Sequence, residues 1–144
     1  MNKEEIYTFL KSKNIWYEIT EHKAVFNIKE LDKIKLPYPE CDAKNLFCRD
    51  DKKKNYYLTT VKKDKRVDLK AILNLIPGSV TPLGLLNDAN YQVKFYLDEY
   101  FLKDKQIIGI HPNDNTATVW LKVPDLIDII KENGNEVNII EVKE

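Results

Sequence analysis

Residues 44–64 read "KNLFCRDDKKKNYYLTTVKKD". Two apolar runs, 46–48 and 56–61, flank a polar turn, and this pattern predicts a β-hairpin. The hairpin decides the fold class, because the chain on either side also reads in short pieces. On the N-terminal side, "NIKELDKI" sets Ile28, Leu31 and Ile34 three apart behind Asn27, with Glu30 completing an Asn form of the capping box. "LPYPE" ends that predicted helix. Before it, "IWYEIT" is aromatic and β-branched and predicts a strand, and "KEEIYTFLKSKN" predicts a helix with acids in its first turn. On the C-terminal side, "RVDLKAIL" predicts a helix capped by Asp68. "YQVKFYLD", "QIIGI" and "TATVWLKV" predict three strands, the last two joined by the turn "HPNDN". Pro124 and Gly134 bracket a helix in "VPDLIDIIKENG", and "EVNIIEV" is a final strand. Hairpins outnumber regular β-α-β units. The expected fold is therefore mixed α/β (α+β): a mostly antiparallel mixed sheet flanked by helices.

The bulk composition narrows the function classes. A chain of 144 residues with 43% hydrophobic content fits one domain, spanning 1–144, around one core. Its 23 basic and 23 acidic side chains cancel, so global charge points to no nucleic-acid partner and any basic patch must be local. No apolar run approaches the ~18–20 residues of a membrane span, and "MNKEEIYTFL" has no signal-peptide character, so a cytoplasmic protein without a membrane partner is expected. Cys41 and Cys48 are too few for a disulfide framework and lack zinc spacing, with only His22 and His111 to assist. They read as buried, idle thiols, with no metal or cofactor implied.

Several stretches carry candidate chemistry. Lys44 and Asn45 open the first hairpin strand, where an ammonium and an amide can meet an anionic or carbonyl oxygen; a solvated Lys beside a turn Asn is the commoner arrangement. "PGSVTPLGLLND" (77–88) concentrates proline and glycine in a chain that has only six and four of them. It reads equally as a plain loop and as a rigid cradle whose N–H groups, from Gly78 to Thr81, face a ligand oxygen. Pro112 pushes His111 into extended geometry at a strand end, where it can shape a pocket or remain a surface histidine. His22 in "EHKAVF" carries the same two readings. Lys52, Lys53, Lys54, Lys62, Lys63, Lys65 and Arg66 lie near the two ends of the hairpin, diluted by Asp50, Asp51 and Asp64. No Ser-His-Asp or Cys-His signature, nucleophile elbow, H-E-x-x-H, P-loop or G-x-G-x-x-G occurs.

Three blocks taken together resemble one family. "AKNLFCRDDKKKNYYLTTVKKDKRVDLK", "PGSVTPLGLLND" and "VKFYLDEYFLKDKQIIGIHPNDNTATVWL" look like the YbaK/ProX family of aminoacyl-tRNA deacylases, in particular its freestanding alanyl-tRNA(Pro) editing branch. With the weaker "EHKAVF", the resemblance covers most of residues 20–130. It implies a compact mixed α/β fold and hydrolysis of the ester between a wrong amino acid and the 3′-terminal ribose of tRNA. It carries the family's essential lysine onto Lys44 with Asn45 beside it. The catalytic and substrate loop falls on Gly78, Ser79, Val80, Thr81 and Pro82, the pocket histidine on His111, and further substrate contacts on His22, Val25 and Phe26. Two departures stand out. "HKAVFNIKE" replaces the family's H-P-P-V-F-T, with Lys23, Ala24 and Asn27 at the Pro and Thr positions. "VDLKAILNLIPGSV" also omits a segment usual before the glycine loop. A natural deletion and a segment missing near Ile72 and Leu73 both fit, and the likeness of "LNLI" to the segment's end favours the second.

The missing signatures agree with that chemistry. An aminoacyl ester is already activated, so a positioned water, a stabilised oxyanion and exclusion of the cognate substrate suffice. The resemblance further implies that the ribose hydroxyl helps position the water. Hydrophobic pockets discriminate against a smaller side chain by only about 1–3 kcal/mol per methylene, so synthetases need a second, smaller sieve. The expected function is trans-editing of Ala-tRNA(Pro). The expected partners are the tRNA(Pro) acceptor end carrying alanine and prolyl-tRNA synthetase, with no DNA. Deacylation of another mischarged tRNA such as Cys-tRNA(Pro), or a non-catalytic sensor of aminoacyl-tRNA or amino acid, are the alternatives.

Overall fold

The computed structural model describes residues 1–23, 35–49, 55–65, 76–78, 81–88, 93–114 and 116–142. The first helix, α1 (Lys3–Ser12), opens on a reciprocal cap: Asn2 accepts from the Glu5 N–H at 2.8 Å, and the Glu5 carboxylate accepts from the Asn2 N–H at 3.2 Å. The Asn-type box expected at Asn27 lies outside the described residues, as do both predicted helices at 27–34 and 68–74. Ile6 and Leu10, one turn apart, are the buried face of α1.

The strands form two sheets instead of the single one expected. The smaller holds β1 (Tyr17–Glu21), β6 (Ile107–Ile110) and β7 (Ala117–Lys122) in the order β1-β7-β6. The larger holds β2 (Ala43–Arg49), β3 (Tyr56–Lys62), β4 (Ile76–Gly78), β5 (Val93–Asp98) and β8 (Val137–Ile140) in the order β4-β2-β3-β5-β8. The hairpin read from 44–64 is β2–β3, with Lys44 opposite Val61 and Asn45 opposite Thr60. Both pairings of β5 are parallel, and the other described pairings are antiparallel, so the sheet character is mixed as expected.

The split follows from where the β6–β7 hairpin finds its partner. β7 pairs with β1, from the N-terminus, along its whole length from Tyr17–Leu121 to Glu21–Ala117. One backbone bridge, Asp42 to Gly109, joins the two sheets. Gly109 faces Trp120 across β6–β7, and a Cβ at Gly109 would lie 2.4 Å from the Trp120 ring. Trp120 is fully buried, and its indole N–H donates to Thr20 Oγ1 at 2.9 Å, so the ring has nowhere to go.

Helix α2 (Val123–Asn133) follows β7 directly, with Pro124 in its first turn and Gly134 left-handed at its end (φ 106°). Its buried residues Val123, Leu126, Ile129 and Ile130 share one core with Ile6, Leu10, Leu58, Phe95, Leu97, Val119 and Leu121. The proline-glycine stretch is not a plain loop. Ile76–Gly78 is strand β4, and Pro82–Asn87 is a 3-10 helix that buries Pro82, Leu83 and Leu85. No described helix is long and apolar enough to cross a membrane.

Gly109→Ala forces a methyl against an immobile indole. A loss of about 1–3 kcal/mol is expected from overpacking, read as a lower urea midpoint. A Gly109→Ala protein as stable as the parent would show that the strand can shift away from Trp120.

Candidate active site

The site forms where β2 loses a neighbour. One edge of β2 is paired with β3 from Ala43 to Arg49. On the other edge β4 covers Phe47, Cys48 and Arg49, and Gly109 bridges Asp42 just before the strand begins. Between them, residues 43–46 have no strand partner on this edge among the described residues. Lys44 and Asn45 sit in that gap.

Two chain segments border the gap. β4 is antiparallel to β2 and ends at Gly78, opposite Phe47. Thr81 is the residue before the 3-10 helix, and its hydroxyl caps nothing in that helix. The hydroxyl donates instead to the His111 carbonyl at 2.6 Å. β6 crosses the start of β2 at Gly109 in the parallel sense, so His111, two residues on, leaves the strand beside the same gap. The structure thus ties Thr81 to the His111 backbone and places Gly78 opposite Phe47, two residues along β2 from Asn45. Ser79, Val80, Val25 and Phe26 lie outside the described residues.

His22 joins this group from β1. Its ring is edge-on to that of His111, with centroids 6.3 Å apart. A carbonyl only accepts, so the 2.8 Å contact to the Lys23 carbonyl makes His22 Nδ1 the N–H. In the neutral ring Nε2 then accepts from Thr118 Oγ1 at 3.0 Å. His111 Nδ1 likewise donates to the Ala117 carbonyl at 3.0 Å, which leaves the lone pair on Nε2 when the ring is neutral. Both rings are half-buried and oriented through β7.

The Lys44 and Asn45 side chains leave β2 in opposite directions. Consecutive strand residues point to opposite faces. Asn45 shares its face with Leu58 and Thr60, and its Oδ1 accepts from Thr60 Oγ1 at 2.6 Å. Lys44 points to the other face, where its ammonium donates to the Lys65 carbonyl. Burial lowers the pKa of the Lys44 ammonium, and the Asp64 carboxylate opposes that shift. The more acidic ammonium is the stronger hydrogen-bond donor to a developing oxyanion.

Asp42 is a site residue the motifs did not single out. It precedes Lys44 by two residues in extended backbone, so the two share a face. It is 5% exposed, its Oδ1 accepts from the Ala43 N–H at 3.1 Å, and its Oδ2 has no hydrogen-bond partner among the described residues. Burial raises the carboxyl to about 6, against the pull of Lys63, the Ala43 N–H and His22. The period-2 spacing from Lys44 was the available signal. Cys41 and Cys48 are buried free thiols whose pKa values burial raises. A cavity of about 240 Å³ beside Cys41, lined also by Glu40, Tyr100 and Lys105, includes none of the gap residues.

The sequence comparisons show which family this fold belongs to. The aminoacyl-tRNA editing domain family matches residues 68–129. The chain belongs to the YbaK/ProX family of aminoacyl-tRNA editing proteins, hydrolases of the aminoacyl ester. It is 34% identical over 160 aligned positions to the prolyl-tRNA editing protein ProX of Acetoanaerobium sticklandii, covering 97% of each chain. It is 32% identical to prolyl-tRNA synthetase associated domain-containing protein 1 of Mus musculus, covering 85% of this chain and 86% of that one. A solved structure described as a candidate trans-editing enzyme for prolyl tRNA synthetase superposes with a TM-score of 0.55 at 16% identity, covering 89% of this chain and 87% of that one, a likeness of fold.

The Asp42 carboxyl gives a signed stability expectation. Its folded pKa lies above its ordinary value, so the ionised form disfavours folding. The penalty is absent below about pH 4, grows between pH 4 and 6, and reaches on the order of 3 kcal/mol above that. Asp42→Asn should therefore unfold at higher urea than the parent at pH 7.5, and the two should converge at pH 4. Equal midpoints at pH 7.5 would show that Asp42 ionises without penalty.

Proposed function

We propose that this protein is a trans-editing hydrolase that removes alanine from mischarged tRNA(Pro). One observation carries the reading. Lys44, Gly78 at the end of β4 and the Thr81–His111 tie lie around a stretch of β2 edge that has no strand partner among the described residues. An open strand edge offers backbone N–H and C=O groups to a small polar substrate. The aminoacyl end of a tRNA, with its ester carbonyl, ammonium and ribose hydroxyls, matches such an edge. The printed descriptions of the Acetoanaerobium and mouse relatives both concern prolyl-tRNA, which favours tRNA(Pro) as the carrier.

Water attacks the ester carbon, the carbonyl oxygen becomes an oxyanion, and the ribose oxygen departs with a proton as the free amino acid is released. The Lys44 ammonium stabilises the oxyanion. Asn45 contributes through its strand position, fixed by Thr60, and Gly78 lets the backbone approach the substrate. We assign discrimination between the methyl of alanine and the ring of proline to Ser79, Val80, Pro82, Val25 and Phe26. His111 and His22 orient the water or the ribose. The protein acts freely on charged tRNA in the cytoplasm, alongside prolyl-tRNA synthetase.

Purified protein should release alanine from Ala-tRNA(Pro) and leave Pro-tRNA(Pro) near the buffer rate. Lys44→Ala and Gly78→Ala should each lower that release by about 100-fold, the scale of a lost oxyanion donor, while circular dichroism stays unchanged. Loss of alanine no faster than in buffer contradicts the reading. Faster hydrolysis of Cys-tRNA(Pro) than of Ala-tRNA(Pro) reassigns the substrate.

A further inference from the structure

The Lys44 ammonium is held by a backbone carbonyl, and that carbonyl belongs to a residue whose side chain is itself clamped. Lys65 lies three residues beyond the end of β3, after a turn closed by its N–H to the Lys62 carbonyl at 3.1 Å. A carbonyl in such a turn has no strand to fix it. Its side chain does so instead. Lys65 Nζ lies 2.7 Å from Asp98 Oδ2 and donates to the Val142 carbonyl at 3.0 Å. The Lys65 side chain is 14% exposed and Asp98 is fully buried. Asp98 ends β5 and is held in turn, its Oδ1 accepting from the Tyr100 N–H at 3.1 Å. The ammonium of Lys65 also lies 5.7 Å from the Tyr100 ring centre. Three parts of the chain, the end of β5, the turn after it and the segment after β8, thus converge on one side chain.

We infer that Lys65 is a positioning residue for Lys44. Its side chain, pinned by Asp98 and Val142, fixes the carbonyl that receives the Lys44 ammonium. The arrangement has a chemical logic. A carboxylate placed directly on Lys44 would neutralise the charge needed for an oxyanion. A carbonyl orients the ammonium without cancelling it. The buried carboxylate stands one residue away, already compensated by Lys65. This inference rests on the role proposed for Lys44, and its test separates the two.

The test combines single-turnover deacylation of Ala-tRNA(Pro) with side-chain 15N NMR of the lysine ammonium groups, the Lys44 signal assigned by Lys44→Arg. Lys65→Met should lower the saturating rate by about tenfold or more without changing the half-saturating enzyme concentration. In the Lys44→Ala background the same change should alter the rate by less than about twofold, because groups that act as a unit are not additive. Lys65→Arg, which keeps the pair with Asp98, should restore most of the rate. Lys65→Met/Asp98→Asn removes both charges and guards against misfolding from an unpaired Asp98. In Lys65→Met and in the double variant the Lys44 signal should move to that of the exposed lysines, and in Lys65→Arg it should stay. Equal rate losses in both backgrounds, or an unmoved Lys44 signal in Lys65→Met, overturn the inference. Should the parent fail to deacylate Ala-tRNA(Pro), the function falls and the NMR arm alone decides the clamp.

Discussion

A single close approach organises this molecule: β6 meets the start of β2 at Gly109, and only there are the two sheets bridged among the described residues. The approach needs a residue without a side chain, because the Trp120 ring occupies the space of a Cβ. Past the bridge the strands separate. β6 ends at Ile110, and β2 runs on until β4 covers it at Phe47. Between a bridge at one end and a short strand at the other, this edge has no strand partner among the described residues. Strand edges are usually paired, covered or blunted by charge, and the stretch near Lys44 and His111, which has no strand partner among the described residues, is the candidate site.

Polar groups around that stretch are oriented rather than merely present. Both histidines have their Nδ1 protons committed to carbonyls, and Thr118 also holds Nε2 of His22. Thr81 ties the proline-glycine segment to the His111 backbone. Asp42 is the exception, a buried carboxyl with one oxygen unpartnered among the described residues. Such groups lower stability and are found where function retains them. Hydrolysis of an activated ester asks for little more than this: a held water, a donor for the oxyanion, and walls of the right size.

The strands were legible because they carry the local signals that sequence reading uses. Alternation marks β5 and β7, the polar turn marks β2–β3, and Pro124 with Gly134 marks α2. β4 was not legible, since a three-residue strand within "IPG" has neither alternation nor β-branched enrichment to announce it. The division into two sheets depends on β7 pairing with β1, a contact between residues about a hundred apart that no local pattern encodes. The site motifs were legible as blocks, yet their geometry was not. Lys44 and Asn45 look like a pair in the sequence, but the two-residue period of a strand sends them to opposite faces. The same period places Asp42 with Lys44, although no motif points to it.

The central claim is that the aminoacyl end of the substrate binds along the open edge of β2. The direct measurement is backbone amide NMR during titration with 3′-alanylamino-3′-deoxyadenosine, a hydrolysis-resistant mimic of the charged tRNA end. Binding at the edge should shift the amides of Lys44, Asn45 and Leu46 together with those of Gly78 and His111. Shifts confined to the cavity beside Cys41 and Tyr100, with the β2 amides unmoved, would contradict it.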